Sequence, residues 1–187
     1  MVGRILYTLF IISFFTGCYS VEKSLVKAQQ YTNVINWPND YQPSDADFYI
    51  HNHIQINAKP EVVWRYLVEA EEWPKWYEGM HNVEITNSVS DELQGNTIFR
   101  FSTMGQDFEG TIREYTPNSR LAWETKNKDL GAYHAWAIVP NEAGCLLITD
   151  EVQKGKLARL QKVFLPNTLR KLHDKWLLGF KEKSENQ

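Results

Sequence analysis

The side chains whose types and spacing could do chemistry lie late in the chain. In Tyr133-His134-Ala135-Trp136, alternation places His134 and Trp136 on one face, an imidazole beside a large ring that suits a ligand with one polar end. Asp150 and Glu151 are adjacent, so in a strand they point to opposite faces and only one can meet an interior. If Glu151 is the inward one and Thr149 lies near His134, desolvation is expected to raise the Glu151 pKa and make His134 and Glu151 a general acid/base pair. The competing expectation is a satisfied histidine in the core or on the sheet exterior. His51-Asn52-His53 puts two imidazoles on one strand face, but a third metal ligand at motif spacing is missing.

No G-x-S-x-G elbow, Cys/His/Asn signature or Gly-rich phosphate loop occurs, so the sequence implies no metal and no cofactor. The 187 residues carry a net charge of -3, with 20 Lys and Arg against 23 Asp and Glu. The sequence pI is about 6.0. A nucleic-acid partner is not expected, because phosphate neutralisation needs a concentrated basic face. Aromatic residues make up 13% of the chain and fall inside the periodic segments, where they can line a core or a pocket.

The first residues read as a targeting signal. Arg4 precedes an apolar run from Ile5 to Phe15, too short to span a bilayer, and Phe15-Thr16-Gly17-Cys18 follows. Small residues ending in cysteine resemble the bacterial lipoprotein signal, with Cys18 the lipidated residue; an ordinary cleaved signal or an uncleaved anchor are the alternatives. The expectation is an exported, membrane-anchored protein of a bacterial envelope, or a secreted one. Residues 1–18 would be the signal, and 19–46, irregular and containing Pro38 and Pro43, a tether; the alternative is that Trp37, Pro38 and Tyr41 dock on the domain. Cys145 reads as a small buried hydrophobe.

The elements that must position the chemistry begin near Asp47. Phe48, Ile50, Ile54 and Ile56 alternate as a strand, interrupted at His51-Asn52-His53. Pro60 opens a helix through Ala70, and Pro74 a second short turn. Six strands follow, near Val83 to Val89, Thr97 to Ser102, Phe108 to Tyr115, Leu121 to Thr125, Tyr133 to Val139 and Leu146 to Val152, separated by turn chemistries such as Met104-Gly105-Gln106. Lys156 to Lys183 is helical in pattern and divided at Pro166. From Lys154 to Lys175 seven bases face one acid, Asp174, with Leu157, Leu160, Val163, Phe164 and Leu165 among them. That composition suits either a solvated face or a gate helix on anionic lipid.

Ala58-Lys59-Pro60-Glu61-Val62-Val63-Trp64 with Trp73-Pro74-Lys75-Trp76, the run Gly95 to Phe101, and Phe108 to Pro117 with Leu121-Ala122-Trp123 resemble, in order and spacing, the START-like or SRPBCC superfamily, including its polyketide cyclase and dehydrase group. The resemblance covers residues 47–187. It implies an α+β helix-grip fold, a curved seven-stranded antiparallel sheet wrapped round a C-terminal helix with two short helices after the first strand. It further implies a cavity for a hydrophobic small molecule such as a lipid, polyketide or isoprenoid, or alternatively a cyclase, dehydrase or hydrolase working there.

Period two then nominates the walls. With Phe99 and Phe101 inward, Phe108, Gly110, Ile112, Leu121 and Trp123 match them, joined by His134, Trp136 and, on the last helix, Trp176. Each of these either lines a pocket or fills a core. Gly110 leaves room for an approaching group, or permits the bend a curled sheet needs.

Overall fold

The structure is a computed structural model that describes residues 23–31 and 33–187. Cys18, with the rest of the signal reading, lies outside the described residues. Seven strands form one sheet: β1 (Phe48–Ile56), β2 (His81–Ile85), β3 (Ile98–Thr103), β4 (Gln106–Thr116), β5 (Arg120–Lys126), β6 (Gly131–Asn141) and β7 (Gly144–Lys154). The spatial order is β1-β7-β6-β5-β4-β3-β2, so β2 to β7 make a meander and β1 closes it beside β7. Every pairing is antiparallel.

The turns follow from their residues. Met104 and Gly105 both have positive φ, at 51° and 76°, the conformation that lets a two-residue hairpin match the strand twist. A register shift between Ile112 and Glu114 marks an irregularity of the β-bulge kind, which bends and twists β4 as a curled sheet needs. Contrary to the sequence expectation, His51-Asn52-His53 does not interrupt β1. Asn52 faces inward and donates to Asp174 Oδ1 at 2.6 Å, while His51 and His53 take the opposite face.

Helix α1 (Pro60–Val68) starts on Pro60, whose missing N–H is no loss in a first turn, and buries Val63, Trp64, Leu67 and Val68. A 3-10 helix, Ala70–Lys75, follows with Pro74 inside it rather than at its start. It sets Trp73 deep in the core, indole N–H donating to the Tyr66 carbonyl at 3.0 Å. Helices α2 (Lys156–Phe164) and α3 (Thr168–Glu185) are separated at Pro166, which cannot continue a helix.

The concave face of the sheet closes on α3 through aromatic side chains. Trp176 lies 4.9 Å from the rings of both Trp73 and Trp136 and stacks on Tyr77 at 4.6 Å. Burying one such side chain contributes about 1.5–3 kcal/mol or somewhat more, so this nest is a main source of stability.

The convex face is covered as well. Ile35 and Tyr41 are buried there, Trp37 meets Tyr49 and Tyr133, and the Tyr41 hydroxyl donates to Glu124 at 2.9 Å. Residues 33–46 are therefore packed on the sheet rather than spanning freely as a tether. Their apolar side chains lack a single period because no one regular element carries them: Tyr41 sits in a 3-10 turn, Asn39–Tyr41, while Ile35 and Trp37 precede it outside any helix or strand.

Candidate functional site

Between sheet and α3 lies a cavity of about 70 Å³. Its walls come from the strands β3 to β7 with the β3–β4 turn and the β5–β6 connection, from Tyr77, Gly79 and Met80 ahead of β2, and from the last two helices. Phe101, Phe108, Trp123, His134 and Trp176 line it as sequence alternation suggests, and Glu151 faces it too. Phe99, Gly110, Ile112 and Trp136 do not line it. Gly110 is filled against: a Cβ there would come within 2.7 Å of the Phe99 ring and 3.2 Å of Trp123. Phe99, Ile112 and Trp136 are solid core beside the cavity, so period two identified the inward face but not where along it the packing stops.

The polar wall is built by cross-strand register. Trp123 on β5 pairs with His134 on β6, and His134 pairs with Glu151 on β7, so all three point inward side by side. His134 Nε2 lies 2.7 Å from Thr149 Oγ1, and its Nδ1 lies 3.5 Å from Glu151 Oε2. From α3, His173 brings Nε2 to 3.3 Å from the same carboxylate oxygen, while Gln153 donates to the other one at 2.7 Å. The sequence reading missed His173 and Gln153. His173 sits three residues before Trp176, one helical turn away on the buried face, and that spacing was the available signal.

Burial alone would push the Glu151 carboxyl up, as expected from the sequence. The hydrogen bond and charge of His173 and the Gln153 amide outweigh it, and the net direction is downward. The expectation of a raised pKa is thus reversed, and Glu151 is held as a carboxylate. Burial pushes His134 down to about 3, against the pull of Glu151, so its imidazole is neutral at ordinary pH. The Tyr77 phenol is raised by burial and by the charges of Glu151 and Glu78, which keeps it protonated on the cavity wall.

Several polar atoms at this wall lack a partner in the protein. Gln153 Oε1, Gln161 Oε1, His173 Nδ1 and the Trp176 indole N–H are buried and unpaired. Each such group costs about 1–3 kcal/mol, and all four belong to residues that line the cavity. Opposite them stand Met80, Met104, Leu130 and Leu172, an apolar and partly flexible wall.

A seven-stranded antiparallel sheet gripping its last helix, with a half-polar cavity between, defines a helix-grip protein of the START-like type. The chain belongs to the family described as polyketide cyclase / dehydrase and lipid transport, whose model matches residues 48–185. Its fold is similar to that of the hypothetical protein jhp0584 of Helicobacter pylori at 27% identity and TM-score 0.76, covering 81% of this chain and 96% of that one. A START superfamily protein from Mycobacterium smegmatis is 16% identical at TM-score 0.53, over 74% of this chain and 94% of the other. The di-domain ARO/CYC StfQ of the steffimycin biosynthetic pathway is 15% identical at TM-score 0.63; 74% of this chain covers 51% of it. No curated protein matches the sequence.

Proposed function

We propose that the protein binds a hydrophobic small molecule carrying one polar end, with that end against His134, Glu151 and His173 and the apolar body along Phe101, Phe108, Met104 and Leu172. The observation that carries this reading is a cavity lined on one side by His134, Glu151, Gln153, Gln161 and His173 and otherwise mostly by apolar side chains. Family membership supports the ligand class.

The cavity's size adds a condition. At about 70 Å³ it is smaller than the roughly 150 Å³ of an apolar cavity that takes up benzene, so binding widens it. Met80 and Met104 can change rotamer, and α2, which contributes Gln161 to the lining, is flanked by Gly155 at φ 109° and by Pro166. The outer side of α2 exposes Leu160, Phe164 and Leu165 among Lys156, Arg159 and Lys162. We propose that this side rests on anionic lipid while α2 moves as a gate, and that a lipid on Cys18 anchors the chain to the membrane of a bacterial envelope. Among the described residues no helix is long and apolar enough to cross a membrane.

The test is a titration with an environment-sensitive naphthalene probe bearing a hydroxyl. Wild-type protein should bind it, and Leu172→Trp, which fills the cavity, should lose binding while remaining folded. Equal binding by both proteins would place the probe elsewhere and reject the cavity. For the anchor, Cys18→Ser should release the protein from membranes in a bacterial host; unchanged retention contradicts the lipid.

A further inference from the structure

We infer that His134, Glu151 and His173 form a three-ligand site for a first-row divalent cation of the zinc class, with a fourth position open to the cavity. The ligand atoms are His134 Nδ1, Glu151 Oε2 and His173 Nε2.

Geometry is the first support. The two separations from Glu151 Oε2, 3.5 Å to His134 and 3.3 Å to His173, match the roughly 3.3–3.4 Å between neighbouring donors in a tetrahedral site with bonds of about 2.0–2.1 Å. All three ligand atoms lie within 4.8 Å of one another. The imidazoles are stacked, centroids 4.8 Å apart with planes 27° from parallel, so closing on one ion needs a modest turn of the rings about their Cβ–Cγ bonds.

The surrounding hydrogen bonds are the second support. A ligating imidazole most often donates its other N–H to a fixed acceptor, and with Nδ1 on the ion the His134 Nε2–H points at Thr149 Oγ1, 2.7 Å away, whereas His173 Nδ1 has no acceptor in the protein. The free carboxylate oxygen of Glu151 is held by Gln153 at 2.7 Å, which leaves Oε2 for the cation. The ligands come from β6, β7 and α3, so folding rather than a local motif brings them together.

Donor chemistry is the third. Two nitrogen donors and one oxygen suit zinc, cobalt or iron(II) rather than calcium or magnesium, which take oxygen ligands. Three protein ligands with one open position is the pattern of sites where a bound water or a ligand oxygen completes the shell, and here that position opens on the cavity wall where Gln153, Gln161 and Tyr77 stand. Binding the ion requires each ligating nitrogen to be free of its proton, so affinity falls with acid. The site does not depend on the cavity's taking a hydrophobic molecule.

The experiment uses chelator-treated protein titrated with Zn²⁺ alone, followed by calorimetry and thermal unfolding, and with Co²⁺ followed by visible ligand-field absorption. Saturable uptake of one ion per chain, a melting temperature that rises with Zn²⁺ concentration and a Co²⁺ spectrum of low symmetry are expected. Glu151→Gln and His173→Gln, which keep shape, should abolish all three, and Thr149→Val should weaken affinity by about 10-fold or more. His51 and His53 on the opposite sheet face are the competing binder, so His53→Gln should leave uptake unchanged. The proposal is overturned if folded wild-type protein takes up no ion, or if uptake survives Glu151→Gln and is lost in His53→Gln. Naphthalene-probe binding measured on the same metal-free sample keeps the two failures apart: probe binding without ion uptake sinks only the metal site.

Discussion

Asp150 and Glu151 are neighbours in β7, both buried and both facing histidines, yet their surroundings differ in kind. On the convex face the Tyr49 hydroxyl donates to Asp150 Oδ2 at 2.8 Å and His51 Nδ1 meets Oδ1 at 2.6 Å. His51 in turn reaches His53 at 3.0 Å, and Tyr31 stacks over His51. Both Asp150 oxygens are engaged by protein groups. On the concave face Glu151 is also paired, but four of the residues that line the cavity beside it carry buried polar atoms with no protein partner. A saturated buried network specifies and stabilises a fold, whereas an incompletely saturated one beside an opening is a site.

The comparison breaks most sharply at Asp150. Asp150→Ala leaves the Tyr49 hydroxyl and His51 without their acceptor inside the sheet, and a loss of about 3–5 kcal/mol is expected in denaturant unfolding. Probe binding by the folded fraction should persist. A mutant that unfolds normally but loses the probe would reverse the roles assigned to the two faces.

Acid should act through the concave face next. His134 is depressed to about 3 from an ordinary 6.5, so the unfolded chain takes up its proton first, and stability declines as pH falls from about 6.5 towards 3. Glu151, also depressed, contributes stability present above the usual carboxylate range and lost as pH falls below it. Both signs agree: the protein weakens in acid. Unfolding free energy followed against pH in His134→Gln should show a flatter slope between about 6.5 and 4.5, with a residual slope from His53, which burial also lowers. An unchanged slope there contradicts a buried neutral imidazole.

Gly110 gives the third and smaller effect. If Gly110 left room for an approaching group, a bulky residue there would block a ligand while sparing the fold. Phe99 and Trp123 already occupy that space, so Gly110→Leu should instead cost about 1–3 kcal/mol by overpacking and leave probe binding in the folded protein. Thermal unfolding and probe titration on one sample check it. Probe loss at an unchanged melting temperature would instead place ligand space beside Gly110.

How far the sequence spoke can be followed through these same residues. Strand alternation put Phe101, Phe108, Trp123 and His134 on the inner face because the side-chain period of a strand is fixed, and the turn residues fixed the order of pairing. Which of the inward residues face open space was not legible, since that depends on where the Trp73 and Trp176 rings come to rest, and both lie far away in sequence. His173 was hidden inside a helical stripe marked by Leu169, Leu172, Trp176 and Phe180. The docking of Ile35, Trp37 and Tyr41 carried no periodic signal at all.

The most direct test of the central claim is native mass spectrometry of the purified protein with solvent extraction of what it carries, comparing wild type with Leu172→Trp. One small molecule per wild-type chain, apolar with a single polar group and absent from Leu172→Trp, is the expected result. Wild-type protein that is empty after expression and stays empty when offered hydroxylated aromatic or fatty ligands would contradict the account.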